Sequence, residues 1–192
     1  MSALIELCAG TAALTLRQGG LSPPVPTAGC KRAYALEITY LLDIKDVQRA
    51  VLVEPGEWGK ALPVLLSDRR EHVACVLESW AGMLRGEKVL GFPVLNDRDL
   101  FDMLRSQPPG WMPEPLPAWI PQLVRHTAAF LYLQSRTYRG KPVYPKPDGS
   151  GWVTYGFDPE FRLSPNRAAG SKDRGFYNAR PVLANKVRKL IL

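Results

Sequence analysis

Ser2-Ala3-Leu4-Ile5-Glu6-Leu7-Cys8-Ala9-Gly10-Thr11-Ala12-Ala13 is a short apolar run, broken by Glu6, that passes into small residues. The run suits a buried strand, and Ala12 to Gln18, stopped by Gly19-Gly20, suits a helix. A small-residue loop between the two lets backbone approach a ligand closely and presents the N–H groups of a helix start. Many α/β proteins turn on Ala-Gly without binding anything, so the loop by itself names no ligand.

Outward from this stretch, Ser22 to Thr27 holds three prolines and predicts an extended loop. A helix is expected from about Lys31 to Leu42, with Tyr34, Ile38, Leu41 and Leu42 at helical spacing. Ala50-Val51-Leu52-Val53 reads as a second buried strand, ended by Glu54-Pro55-Gly56. The order strand, loop, helix, loop, helix, strand predicts the start of an α/β domain with a parallel sheet. A carboxylate at the tip of that second strand, Glu54, can accept hydrogen bonds from both ribose hydroxyls of a nucleoside-type cofactor; it equally suits an ordinary exposed strand end. The gap from the Gly10 loop to Glu54 exceeds 40 residues. A plain dinucleotide site has about 20, which argues against NAD. Lys31, in Gly29-Cys30-Lys31-Arg32, heads the intervening helix, where it reaches toward a cofactor carboxylate or simply toward water.

Ser67 to Leu84 predicts a clearer helix, with Val73, Val76, Leu77, Trp80 and Leu84 in one apolar stripe and Asp68 and Glu71 near its start. Residues 86–117 read as irregular. Trp119 to Arg136 predicts a long helix with Ile120, Leu123, Val124, Thr127 and Leu131 on one face. Residues 137–181 read as loops and short strands, and Val182 to Leu192 as a last helix.

The chain has 192 residues, enough to bury a core, and a net charge of +7. The charge is uneven. Residues 1–121 hold 12 Lys and Arg against 14 Asp and Glu, whereas residues 122–192 hold 13 against 4, a net of +9. Such asymmetry suits either a polyanion contacted by the second part or a solvated basic surface. Three cysteines with no metal-type spacing read as free thiols of a reducing compartment. No run approaches the ~18 apolar residues of a membrane span, and no signal peptide is visible, so an intracellular protein is expected.

Several segments together resemble the DNA adenine-N6 methyltransferases of the Dam-like class, especially phage-encoded ones. Leu7-Cys8-Ala9-Gly10-Thr11-Ala12-Ala13-Leu14 is similar to their Phe-x-Gly-x-Gly cofactor motif, with Ala12 in place of the second glycine. Ala28-Gly29-Cys30-Lys31-Arg32 resembles the Gly-x-Lys-Arg motif, here following the glycine loop rather than preceding it. Val53-Glu54-Pro55 resembles the strand-end acid that holds the ribose. Ala128-Ala129-Phe130-Leu131-Tyr132-Leu133-Gln134-Ser135-Arg136-Thr137-Tyr138-Arg139-Gly140 looks like the family's Ala-x-Phe-x-Tyr-Leu helix running into an aromatic-x-Gly turn.

The resemblance implies a partial Rossmann-like methyltransferase sheet with a mainly helical DNA-recognition insert. The implied division is residues 1–66 for S-adenosylmethionine, 67–181 for DNA and 182–192 as a helix leading toward a catalytic half. The implied cofactor residues are Leu7, Cys8, Ala9, Gly10, Thr11, Ala12, Gly29, Lys31, Glu54 and Pro55. Arg136, Thr137, Tyr138, Arg139 and Lys141 are expected to project from the helix end toward phosphates. Lys172 and Arg174, in the small, basic and aromatic stretch Gly170 to Asn178, suit a loop that orders on DNA or simply a flexible surface loop. The implied location is the cytoplasm of a bacterial cell or phage-infected host.

The family's catalytic motif, Asp-Pro-Pro-Tyr with Asn or Ser tolerated first, has no complete copy. Ser22-Pro23-Pro24-Val25 lacks the aromatic, and Phe157-Asp158-Pro159-Glu160 has one proline and a charge where the ring belongs. Both read as turns. The expectation is therefore the front part of the enzyme, as a truncated product, an expression fragment or one subunit of a split enzyme, with an open sheet edge that favours pairing with a partner or with itself. The alternatives are an inactive DNA-binding or regulatory derivative of the fold, and a different nucleotide-cofactor enzyme on a similar sheet.

Overall fold

A computed structural model describes residues 2–7, 24–25, 38, 40, 47–84, 96–112, 119–158 and 183–190. Strand β1 (Ser2–Leu7) pairs in parallel with β2 (Val47–Val53), in a register from Ser2↔Val47 to Leu7↔Val53. Both apolar runs of the sequence are thus strands, and both end at one edge. Among the described residues this sheet has two strands. Residues 8–13 and most of the expected helix 31–42 lie outside the described residues.

Helix α1 (Glu57–Leu65) follows β2 directly, although Pro63 lies inside it and Gly59 in its first turn. Both residues weaken a helix locally. Burial outweighs them: Trp58, Ala61, Leu62, Val64 and Leu65 all enter the core, and the Trp58 ring meets Phe130 edge-on at 5.1 Å. Gly59 is required by position. A Cβ there would lie 1.9 Å from the Glu54 carbonyl oxygen.

Helix α2 (Arg70–Leu84) starts three residues later than the spacing predicts, because Ser67 to Arg69 form a turn in which the Ser67 hydroxyl accepts from the Arg69 N–H. Val73, Val76, Leu77 and Trp80 are buried as one stripe, as expected. Helix α3 (Asp97–Arg105) occupies part of the region expected to be irregular. Asn96 caps it by accepting from the Asp99 N–H at 2.9 Å; Asp97 and Asp99 fill its first turn and Arg105 its last. Leu100, Phe101 and Leu104 are its buried face.

Helix α4 (Gln122–Arg136) is the centre of the molecule, buried on all sides from Thr127 onward. Trp58 of α1 and Trp80 of α2 pack edge-on against its Phe130 and Tyr132. A short 3-10 turn (Tyr138–Gly140) leads to an antiparallel hairpin of β3 (Tyr144–Pro145) and β4 (Trp152–Val153). Residues 183–188 are helical, and Leu183, Ala184, Val187 and Leu190 join the same core. Arg188 fastens this segment to α2, its guanidinium paired with Glu78 through two bonds and with Glu71 at 2.8 Å. Among the described residues no helix is long and apolar enough to cross a membrane.

Candidate functional site

Two places bring chemistry-bearing side chains together. The first is the carboxyl edge of β1–β2, the side of a parallel sheet where ligands bind. Glu6 is buried one residue before the end of β1 and pairs in register with Leu52. Strand alternation gives Glu6, Leu52 and Glu54 the same face. Glu54 stands just past the end of β2. Its Oε1 accepts from the Gly56 N–H at 2.7 Å, next to the start of α1, and Pro55 beside it is exposed. Leu7 ends β1. Cys8, Ala9, Gly10, Thr11, Ala12, Gly29 and Lys31 lie outside the described residues.

A half-buried pair begins three residues beyond Glu54. Glu57 Oε2 and His126 Nε2 are 2.5 Å apart, joining α1 to α4, and Glu57 Oε1 accepts from Lys60 Nζ at 2.7 Å. The His126 ring lies 5.0 Å from that of Trp152. Burial pushes the Glu57 carboxyl up, but the bonds and charges of His126 and Lys60 outweigh it and hold the group below its ordinary range. Neither Glu57 nor His126 stands among the residues singled out from sequence. Their positions, 69 residues apart, carry no local signal.

The second place is the end of α4 with the hairpin. Tyr138, Tyr144 and Tyr155 are exposed large side chains. Lys141 Nζ sits 4.7 Å over the Tyr155 ring, a cation–π contact. A side-chain hydrogen bond between Tyr144 and Tyr155 raises the Tyr144 phenol above its ordinary value. Lys146 is exposed at the start of the hairpin loop. Pro147-Asp148-Gly149 makes that loop: the Gly149 N–H donates to the Lys146 carbonyl, Gly149 takes φ +71°, and Asp148 accepts from the Ser150 N–H. Pro-Asp-Gly is a readable turn signal, and it marks Tyr144 as a hairpin residue.

Gln134 secures the approach to this surface. Its Nε2 donates to the carbonyls of Gly140 and Lys141 at 3.0 and 3.1 Å, and its Oε1 accepts from the Val143 N–H at 3.2 Å. Gly151 ties the hairpin back to α3, since a Cβ there would lie 2.6 Å from the Arg105 carbonyl oxygen.

The expected DNA contacts divide here. Tyr138 and Lys141 are exposed, and Arg139 lies in the turn between them. Arg136 does not project: it is 1% exposed and turned inward, ion-paired with Asp97. The reason is that α4 is covered on all sides at this point, with Asp97 and the Phe157 ring taking the guanidinium. Thr137 is also buried, its Oγ1 accepting from the Tyr155 N–H at 3.3 Å. Lys172 and Arg174 lie outside the described residues. Family models, curated proteins and solved structures provide no match to the chain.

Proposed function

We propose that this chain is the cofactor-binding and DNA-binding part of an S-adenosylmethionine-dependent DNA adenine-N6 methyltransferase, built on a partial Rossmann-like sheet with a helical DNA-recognition insert. The observation that carries the reading is the exposed face formed by Tyr138, Lys141, Tyr144 and Tyr155 within the strongly basic part of the chain. Cations among aromatic rings suit both phosphates and the faces of unpaired bases. The parallel strand pair with Glu54 at its carboxyl edge supports the cofactor half of the reading. Leu7 to Ala12, Gly29 and Lys31 would surround the rest of the cofactor, with Glu54 and Pro55 at its ribose. The bound cofactor would supply a methyl group activated for transfer.

The Asp-Pro-Pro-Tyr motif is absent from these residues, so the reading calls for a catalytic motif supplied by a second, different chain, in the cytoplasm. The same absence favours a second reading, an inactive DNA-binding or regulatory protein derived from that fold. One experiment separates them: labelled S-adenosylmethionine is incubated with DNA and this chain, alone and with candidate partner chains. Methyl transfer to adenine supports the first reading. Salt-sensitive DNA binding without transfer in any combination supports the second. Absent DNA binding overturns both.

A further inference from the structure

We infer that Arg136 is a positioning residue, the centre of a buried ionic staple that presets the tyrosine–lysine face, and that it makes no phosphate contact itself. The inference rests on the DNA-binding reading above for its functional half, and on geometry for the rest.

The staple joins three segments far apart in sequence. Arg136, at the end of α4, pairs through Nη2 with Asp97 Oδ2, at the start of α3. Tyr132, one turn earlier on α4, donates its hydroxyl to the same residue, at 2.7 Å to Oδ1 and 2.8 Å to the backbone carbonyl. The guanidinium lies 4.7 Å over the Phe157 ring. That ring also meets Arg98 at 5.4 Å and Phe101 edge-on at 5.4 Å, both from α3. The main chain repeats the connection. The Asp158 N–H donates to the Arg136 carbonyl at 2.7 Å, Thr137 bridges Phe157, and the Tyr138 N–H donates to the Gly156 carbonyl at 2.9 Å.

Every bond of the staple falls on the inner side of the segments whose outer side shows Tyr138 and Tyr155. A planar guanidinium does this job because it pairs with a carboxylate and stacks on a ring at once, which an ammonium cannot do equally well. A surface whose side chains are held before the partner arrives loses less freedom on binding. Arg136 thus acts through Asp97 and Phe157, while Lys141 and the tyrosines face the partner.

The test uses the full chain with R136M and the double variant R136M/D97N. The single variant leaves Asp97 half-buried without its cation and is prone to unfold; the double variant removes both charges and restores the balance. Two readouts are taken, amide exchange at Tyr138 and Asp158, and duplex binding as a function of salt. Expected for the folded double variant is exchange at both amides faster by about tenfold or more, together with weaker binding at an unchanged salt slope. K141A should instead lower the slope by about 0.9, the signature of one lost phosphate contact. R136K should recover binding only in part. Unchanged exchange in the double variant overturns the staple. A slope lowered as in K141A overturns the positioning role in favour of direct contact. Faster exchange with unchanged affinity overturns the link between the staple and binding. A wild-type chain that binds no duplex overturns the DNA-binding reading, and the exchange data then decide the staple alone.

Discussion

On the strand pair, Ile5, Val51 and Val53 are 63%, 41% and 45% exposed, while Glu6 is buried. On α4 the pattern is reversed: all residues from Thr127 to Arg136 are buried, with Gln134 and Arg136 among them. The strands are joined by backbone bonds along a continuous parallel ladder and show an apolar face outward. Parallel sheets ordinarily cover both faces. The helix is held by side chains instead, with aromatic rings on two sides and its buried Gln134 and Arg136 hydrogen-bonded or ion-paired to other segments. The difference teaches where sequence changes will be felt. Stability resides in the helical part, and the exposed sheet face is free to vary without much cost to the fold.

The sharpest test of that contrast is Phe130→Ala. Removal of a fully buried ring under Trp58 should cost about 3–5 kcal/mol in urea unfolding. A loss under about 1 kcal/mol would show that α4 is not the centre of the fold. Next in size is Gly59→Ala, which forces a methyl group onto the Glu54 carbonyl. It should cost about 1–3 kcal/mol by overpacking and lower the melting temperature. A neutral result would mean that α1 does not press on the end of β2.

The Glu57–His126 pair should produce a smaller, pH-dependent effect. The folded-state pKa of Glu57 lies below its ordinary 4.5, so its stabilisation is present above that value and disappears as pH falls through the folded one. Glu57→Gln should remove on the order of 1 kcal/mol near neutrality and flatten the acid limb of a denaturation-midpoint profile. A profile superimposable on the wild type would separate α1 from α4. Smallest of all, Val51→Thr on the open strand face should change stability by no more than about 0.5 kcal/mol. A large loss there would mean that this face is covered in solution.

Much of the fold could be read from patterns that are local. The two strands are apolar runs, and the stripes of α2 and α4 repeat at helical spacing. Helix α1 was hidden by Gly59 and Pro63, whose local penalties are overcome by a Trp58–Phe130 contact between residues 72 positions apart. Helix α3 was hidden among prolines and glycines, although Asn96, its acidic first turn and the Leu100, Phe101 and Leu104 stripe were legible signals. Within the candidate site, Tyr138 and Lys141 follow the helix end in sequence and stand exposed in the structure. Arg136 carries the charge of a surface residue, and only the folded chain shows that α4 is covered on all sides there. The Glu57–His126 pair could not be read at all, because only the folded chain brings the two residues together.

Arg188 adds a matter of timing. Its guanidinium meets Glu78 across 110 positions and Glu71 across 117. Closing so long a span costs only about 0.6 kcal/mol more for each doubling of its length, yet distant pairings slow a folding reaction. The nearer contact of α1 with α2 can form while 183–188 is still free to diffuse. The clasp then closes late, after most of the structure is in place. A contact made after the folding barrier works chiefly as a brake on the reverse reaction, so its loss would hasten unfolding and leave the speed of folding nearly as it was.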